Sequence, residues 1–590
     1  MRSRRGSTAV SSYMRATAGL VAGDEPTPAG GGSRTPLDGP FAMSRMQEPV
    51  PVPEGAAAAA PDLLHPEPCV CLDQRTLTRA LEFAFAAGDA AGCAGQALDR
   101  AAICPSIFRP DAFASDIFLD ELIDQCLHFS VEGRRAPLAR GHLRRLLGSP
   151  PSDPRVTAFR HEVLAELEEH PAMRKGLEGA YAHVAELMRL FDESGGHSRL
   201  DLPRWRLDLL GCLRRLFDAL HGPFAGASSG LARLHIFAEH VHASQGYQDL
   251  CALLDFEGDM AHVDLHLRLG IDGRIRQLDV RKILETRSEP FYRSPLVRFL
   301  LRVSMWLRGY RVGEAELVER WFDHVYGGVS PFLPAILQLR GDMEFYLAAQ
   351  QLRERAEARG LSVCLPELVD SPEGTRAIGG LFNPLLLSQS GPPVPCTLDV
   401  DSFQRMCILT GPNSGGKTRL LQAIGLTQML GQAGFYVPAE HAVLRRASGM
   451  FVSLGQETSA DQTEGRLGTE LMRIRQLFEQ AHPHSLVVLD ELCSGTNPSE
   501  GEEIFHLVVE LLRELRPEVF ITTHFLKFAG ELAERADELS LCFLQVELDE
   551  HEKPTYQFIP GVATTSLAHR TAARLGVTRD ELLELVRRNS

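Results

Sequence analysis

The sequence predicts a multidomain chain: a mainly α-helical region carrying a small β insertion, followed by an α/β domain built on a phosphate-binding loop. Three observations predict it. The chain has 590 residues, too many for one hydrophobic core, so two to four domains are expected. Apolar residues recur at helical spacing from about 72 to 370, as in Leu209, Leu213, Leu216 and Leu220. From about 371, short apolar runs alternate with helical ones. One such run leads straight into Gly411-Pro412-Asn413-Ser414-Gly415-Gly416-Lys417-Thr418.

Residues 1–71 are rich in Ala, Gly, Ser and Pro, with Gly30 to Ser33 and Ala56 to Ala60 as plain examples. Such a segment is expected to form a disordered low-complexity tail. Its first twenty residues are Arg- and Ser-rich and hold no acid, as in a transit peptide, but they lack an amphipathic pattern. A dispensable tail is expected, with Met43 and Met46 as alternative starts. The helical region, 72–370, carries further stripes such as Leu317, Trp321 and Val325, which are core seams first of all. One interruption stands out. His262 to Gly270 alternates polar and apolar, Asp272-Gly273 supplies a hairpin turn, and Ile275 to Ile283 continues the pattern. This hairpin carries Arg268, Arg274, Arg276, Arg281 and Lys282. Two readings stay open, a solvated face or a surface that meets a nucleic-acid backbone.

The third region, 371–590, holds the chemistry. Gly411 to Thr418 has the G-x-x-x-x-G-K-[ST] spacing, in which loop N–H groups surround a β-phosphate and the next helix points its positive end at the anion. Glycine is required where a Cβ would forbid the turn. Lys417 reaches the β- and γ-phosphates, and the Thr418 hydroxyl faces Mg²⁺. Only five of the 61 basic residues are lysines, so the placement of one here carries weight. Met406 to Thr410 reads as the buried strand before the loop, and Leu420, Leu421 and Ile424 as the helix after it. Ser485 to Leu489 and Val519 to Thr523 read as strands buried on both faces of a parallel sheet, with a helix from Gly501 to Leu515 between them. Asp490 and Glu491 end the first of these, where ligands of such sheets bind. Asp490 is expected to hold Mg²⁺ and Glu491 to position or deprotonate an attacking water. His524 ends the second, facing the γ-phosphate position as an ATP sensor.

The net charge is −16, which disfavours indiscriminate polyanion binding and leaves room for a local basic face. No apolar run is long enough to span a bilayer, so no membrane contact is expected. Twelve cysteines are scattered, none in a C-x-x-C pair, and several lie inside apolar runs. That pattern fits reduced thiols and a cytoplasmic protein. Of 21 histidines, only His524 has a context that points to function.

With the loop, the acidic strand end and the histidine in order, the C-terminal part resembles the ATPase domain of the MutS family of DNA mismatch-repair proteins. Gly411-Pro412-Asn413, Gln432 to Ala439, Leu489 to Gly501, Thr522 to His524, Pro560 to Ala563 and Ala568 to Glu581 are similar to that family's segments. Upstream, Gly141 to Pro150 with Val163 to Leu167, Asp342 to Ala349, and Phe382 to Leu386 resemble its helical core and the approach to its ATPase. The resemblance is strong over about 380–590, moderate over about 75–370 and absent before 70. The wording is closest to the shorter branch that lacks mismatch-reading domains.

The resemblance implies a helical core and lever region at 72–370 and an ABC-type P-loop ATPase domain with terminal helices at 371–590. It implies ATP and Mg²⁺ as cofactors and a homodimer enclosing double-stranded or branched DNA, in repair or recombination. Two departures matter. The family's signature loop carries a serine that reaches across the dimer, whereas the matching stretch here, Glu464 to Thr469, holds none. Nothing before residue 72 is expected to form the mismatch-reading domain, and nothing after the terminal helices the nuclease module of longer relatives. Mismatch reading and strand cleavage are therefore not expected. Three functions remain: a DNA-structure-binding ATPase, an ATP-switched assembly factor that does not touch DNA, and a different ABC-type ATPase. The last lacks support, because neither L-S-G-G-Q nor a long heptad region is present.

Overall fold

The computed structural model describes residues 50–51, 60–197, 201–258, 262–269, 275–284, 314–371, 374–454, 466–493, 497–564, 577 and 579–589. Two short pairs open the chain, β1 (Val50–Pro51) with β2 (Cys69–Val70) and β3 (Ser130–Val131) with β4 (Arg134–Arg135). Around them run α1 (Gln74–Phe85), α2 (Cys93–Asp99), α3 (Leu119–Cys126), α4 (Arg140–Gly148), α5 (Pro154–Glu169) and α6 (Pro171–Asp192). α7 (Leu202–His221), α8 (Ala232–His242) and α9 (Gln245–Gly258) follow. Next come the antiparallel pair β5 (His262–Leu269) and β6 (Ile275–Leu284), α10 (Glu314–Val329) and α11 (Leu333–Glu357). The hairpin expected from alternation is thus an antiparallel pair, and its Asp272-Gly273 turn and Arg274 lie outside the described residues.

Local chemistry sets these helices. Asp153 accepts from the Arg155 N–H at 2.9 Å and Pro154 fills the first turn of α5, where no N–H is needed. The leucine stripe of α7, Leu209, Leu213, Leu216 and Leu220, is wholly buried. α11 is buried almost all round, and its buried Arg340 and Glu344 are paired with each other. Arg340 Nε donates to Glu344 at 2.9 Å, and Glu344 also accepts from the Tyr181 hydroxyl and the Ala139 N–H. Unpaired, those charges would be prohibitively costly to bury.

The low-complexity tail expected through 71 differs at its end. Asp62, Leu63, Leu64 and His65 are buried. Asp342 of α11 accepts from the Leu63 N–H at 3.0 Å, Gln338 bonds both Cys69 and Cys71, and Arg233 donates to the carbonyls of Asp62 and His65. These anchors lie far away in sequence, so composition alone does not reveal them.

Beyond α11 the chain builds two sheets. The four-stranded one orders β7 (Glu367–Val369), β11 (His441–Arg445), β8 (Arg376–Leu381) and β9 (Cys396–Val400). The six-stranded one orders β12 (Met450–Ser453), β13 (Leu486–Leu489), β14 (Glu518–Thr522), β10 (Met406–Thr410), β15 (Leu541–Leu548) and β16 (Pro554–Pro560). Its first five strands are parallel, and β16 returns antiparallel. β10, β13 and β14 are buried at every residue; they are apolar or β-branched except for Glu518 at the start of β14, which accepts from Arg376. The helices here are α12 (Lys417–Ala433), α13 (Arg466–Gln480), α14 (Pro498–Leu515), α15 (Leu526–Ala533), α16 (Ala536–Leu539) and α17 (Arg579–Asn589). α14 begins earlier than its apolar pattern suggests, because Asn497 caps it and Pro498 opens it. Mixed helical and α/β content thus matches the predicted fold class.

α12 fixes the geometry of the sheet. Fifteen of its residues are buried, including Gln422, Gln428 and Gln432. Gln428 donates to Gln432 and the Arg445 carbonyl, Gln432 to the Ala447 carbonyl, and Asn383 donates to Gln422. This satisfied polar row ties the helix to β11 and the segments beside it.

Candidate active site

Strand order assembles the site. β14 lies between β13 and β10, so the ends of these three strands adjoin. The loop after β10, the acids after β13 and the Thr-His pair at the end of β14 therefore meet at one edge. This is where α/β sheets bind ligands.

The loop needs its glycines. Gly411 and Gly416 have φ of +135° and +86°, conformations that a side chain strongly disfavours. A Cβ on Gly411 or Gly415 would come within 2.7 Å of Val546, and one on Gly416 within 3.2 Å of the Tyr556 ring. Gly416 caps α12, so its free N–H groups and positive end face the loop.

Lys417 is buried at 3% exposure. Its ammonium donates to the carbonyls of Gly411 at 2.9 Å and Pro412 at 3.2 Å, touches Asn413 Oδ1 at 3.4 Å, and stands 3.8 Å from Glu491 Oε1. Burial pushes its pKa below the usual lysine value, while Glu491 and Asp490 act in the opposite direction. Thr418 donates its hydroxyl to Asp490 Oδ2 at 2.5 Å. Oxygen donors so placed suit a hard cation such as Mg²⁺.

One residue joins the two acids. Thr522, fully buried, donates its hydroxyl to Asp490 Oδ1 and accepts the Glu491 N–H at 2.8 Å. Glu491 sits at φ +46°, uncommon for a non-glycine residue and costly enough to need support. The Thr522 bond supplies some of that support.

Lys417, Thr418, Asp490 and Glu491 are thus brought together by direct contacts. His524 follows β14 but is exposed, with its ring 4.1 Å from that of Phe525, and bonds none of those four among the described residues. The serine-free stretch Glu464 to Thr469 is described only from Arg466, where α13 begins.

Sequence reasoning missed Thr522 as the link and Tyr556 beside the loop. A cavity of about 310 Å³ opens next to Gly416, walled by Phe382, Asn383, Arg419, Tyr556 and Phe558. Tyr556 lies on β16, well downstream of the loop in sequence, and only the β15–β16 return carries it back.

Residues 407–583 match the family model of MutS domain V. The Endonuclease MutS2 of Thermus thermophilus is 32% identical over 285 residues, 48% of this chain and 36% of that protein. The Endonuclease MutS2 of Gemmatimonas aurantiaca is 32% identical over 278 residues, 46% of this chain and 33% of that protein. That of Pelotomaculum thermopropionicum is 29% identical over 280 residues, 46% of this chain and 34% of that protein. The matches therefore span about a third of the length of these curated relatives.

Proposed function

For this MutS-family, MutS2-like chain, we propose a Mg²⁺-dependent ATPase that works as a dimeric clamp. It acts on branched, recombining or damaged DNA rather than as a mismatch reader. The single observation that carries the ATPase reading is the contact set of Lys417, Thr418, Asp490, Thr522 and Glu491 at one sheet edge. We divide the chain into a tail, a helical core and lever region to about 370, and the ATPase domain beyond it.

Loop N–H groups from 411 to 418 and the Lys417 ammonium hold the β- and γ-phosphates and offset charge that builds in the transition state. The Tyr556 cavity takes the base and sugar. Thr418 and Asp490 would hold Mg²⁺, which when bound neutralises phosphate charge. Glu491 aligns a water for in-line attack and accepts its proton, and Thr522 keeps both acids in place. His524, at the strand end, reports the γ-phosphate. Thr469 or a backbone N–H of α13 reaches the partner's nucleotide in place of the missing serine.

The net charge of −16 favours a second reading, an ATP-switched assembly factor without direct DNA contact. The two separate on salt. Glu491→Gln protein with ATP and Mg²⁺ is mixed with plain duplex, a mismatched duplex and a four-way junction at two salt concentrations. Junction-selective binding that weakens steeply with salt is expected for phosphate contacts. No binding to any of the three, with ATP still bound, would favour the assembly factor.

A further inference from the structure

The turn between α7 and α8 gathers three histidines that the nucleotide site does not use. His221 is the last residue of α7, His235 and Glu239 lie one turn apart on α8, and His242 ends that helix. Ligand atoms of His221, His235 and Glu239 all lie within 4.8 Å of one another. The His221 ring stands 4.7 Å from that of His235 and 5.0 Å from that of His242.

Hydrogen bonding selects the tautomer of His235. Its Nδ1 lies 2.6 Å from the His221 carbonyl oxygen. That oxygen only accepts, so Nδ1 carries the proton and Nε2 of the neutral ring is a bare lone pair. The lone pair faces Glu239 Oε1 at 3.4 Å. Two acceptors so placed repel unless a proton or a metal cation lies between them. A tetrahedral ion with bonds of about 2.0–2.1 Å has ligands about 3.3 Å apart, which this spacing nearly matches. An Nδ1–H held by a carbonyl behind the ligating nitrogen is also how metal-bound imidazoles are oriented.

His242 extends the cluster. Its Nε2 lies 3.2 Å from Asp218 Oδ1. Asp218 itself accepts from the Tyr247 hydroxyl. The whole group sits at the C-terminal end of α7, where free carbonyls and the helix dipole favour a cation.

We propose that His221, His235 and Glu239, with His242 beside them, bind one divalent first-row cation of the zinc type. Imidazole nitrogens with a carboxylate suit Zn²⁺ far better than Mg²⁺ or Ca²⁺, so this site is chemically distinct from the all-oxygen pair at Thr418 and Asp490. The ion clips the end of α7 to α8 and closes the connection between them.

The test uses the full chain without an affinity tag, stripped by chelator and titrated with Co²⁺ and then Zn²⁺. One Co²⁺ per chain with the visible bands of a tetrahedral ion is expected, displaced by Zn²⁺, and Zn²⁺ should raise the Tm. His235→Ala should weaken binding more than about tenfold, since even outer-shell changes cost that much. Glu239→Gln, at an exposed position, should weaken it with the fold intact. His170→Ala, at an exposed position between α5 and α6, should leave it unchanged. No cobalt bands in the wild-type chain would overturn the proposal. So would binding as tight as wild type in both His235→Ala and Glu239→Gln, which would place the ion elsewhere.

Discussion

Replacing Thr522 by valine keeps the shape of a fully buried side chain and removes one oxygen that serves both acids. The lost bond to Asp490 is one to a charged group, which contributes about 1.5–3 kcal/mol, and a buried N–H left without an acceptor costs about 1–3 kcal/mol. Glu491 is half-buried, so water recovers part of the second term. A total of about 2–4 kcal/mol follows, divided between stability and positioning. Outer groups that orient metal ligands change activity or metal affinity by about 10–100-fold, which is about 1.4–2.7 kcal/mol. Thr522→Val should therefore unfold at lower urea, turn over ATP about 10–100-fold more slowly, and need more Mg²⁺ for half-maximal rate. Thr522→Ser, which keeps the hydroxyl, should recover most of the rate. ATPase assays across a Mg²⁺ series, with urea melts alongside, read all of this. Wild-type turnover and Mg²⁺ dependence in Thr522→Val would refute the role given to this hydroxyl.

Two further outcomes follow from buried charge. Arg376, wholly buried, donates to both oxygens of Glu518 and to Gln428, and buried Arg445 also feels the Glu518 charge. Glu518→Gln would leave the buried Arg376 guanidinium without its carboxylate, so a loss of about 3–5 kcal/mol in unfolding free energy is expected; a loss below about 1 kcal/mol would contradict it. In the anchored segment 60–71, burial lowers the pKa of His65, but Asp62 at 2.8 Å overrides it and raises the pKa to about 10. The ring is charged more readily folded than unfolded. Its contribution is whole below the ordinary value of 6.5 and is lost as pH rises through about 10. The stability gap between wild type and His65→Gln should therefore shrink over that window in urea melts; a constant gap would exclude a charged His65.

The legible part of the site was contiguous in sequence. Gly411 to Thr418 and Asp490-Glu491 are motifs whose spacing already contains the geometry, and the apolar or β-branched runs Met406 to Thr410, Leu486 to Leu489 and Val519 to Thr522 could hardly be anything but central strands. What stayed hidden depends on neighbours distant in the chain. Thr522 acts on Asp490 only because β13 and β14 pair with Leu489 opposite Ile521. Tyr556 reaches Gly416 only through the β15–β16 return. Residues 60–71 look like a low-complexity tail until Asp342, Gln338 and Arg233 supply their partners. His221 and His235 show no short-range pattern, because the loop between α7 and α8 separates them.

The proposed chemistry turns on Glu491, which positions the water that cleaves ATP held by Lys417 and the loop. Single-turnover hydrolysis of γ-labelled ATP by wild type and Glu491→Gln tests it most directly, with bound ATP measured in the same samples. Similar ATP binding by both proteins is expected, with cleavage slowed at least about 100-fold in the variant, the scale of losing one transition-state-stabilising group. Equal cleavage rates with equal binding would contradict it and move the search for the water-positioning group away from the end of β13.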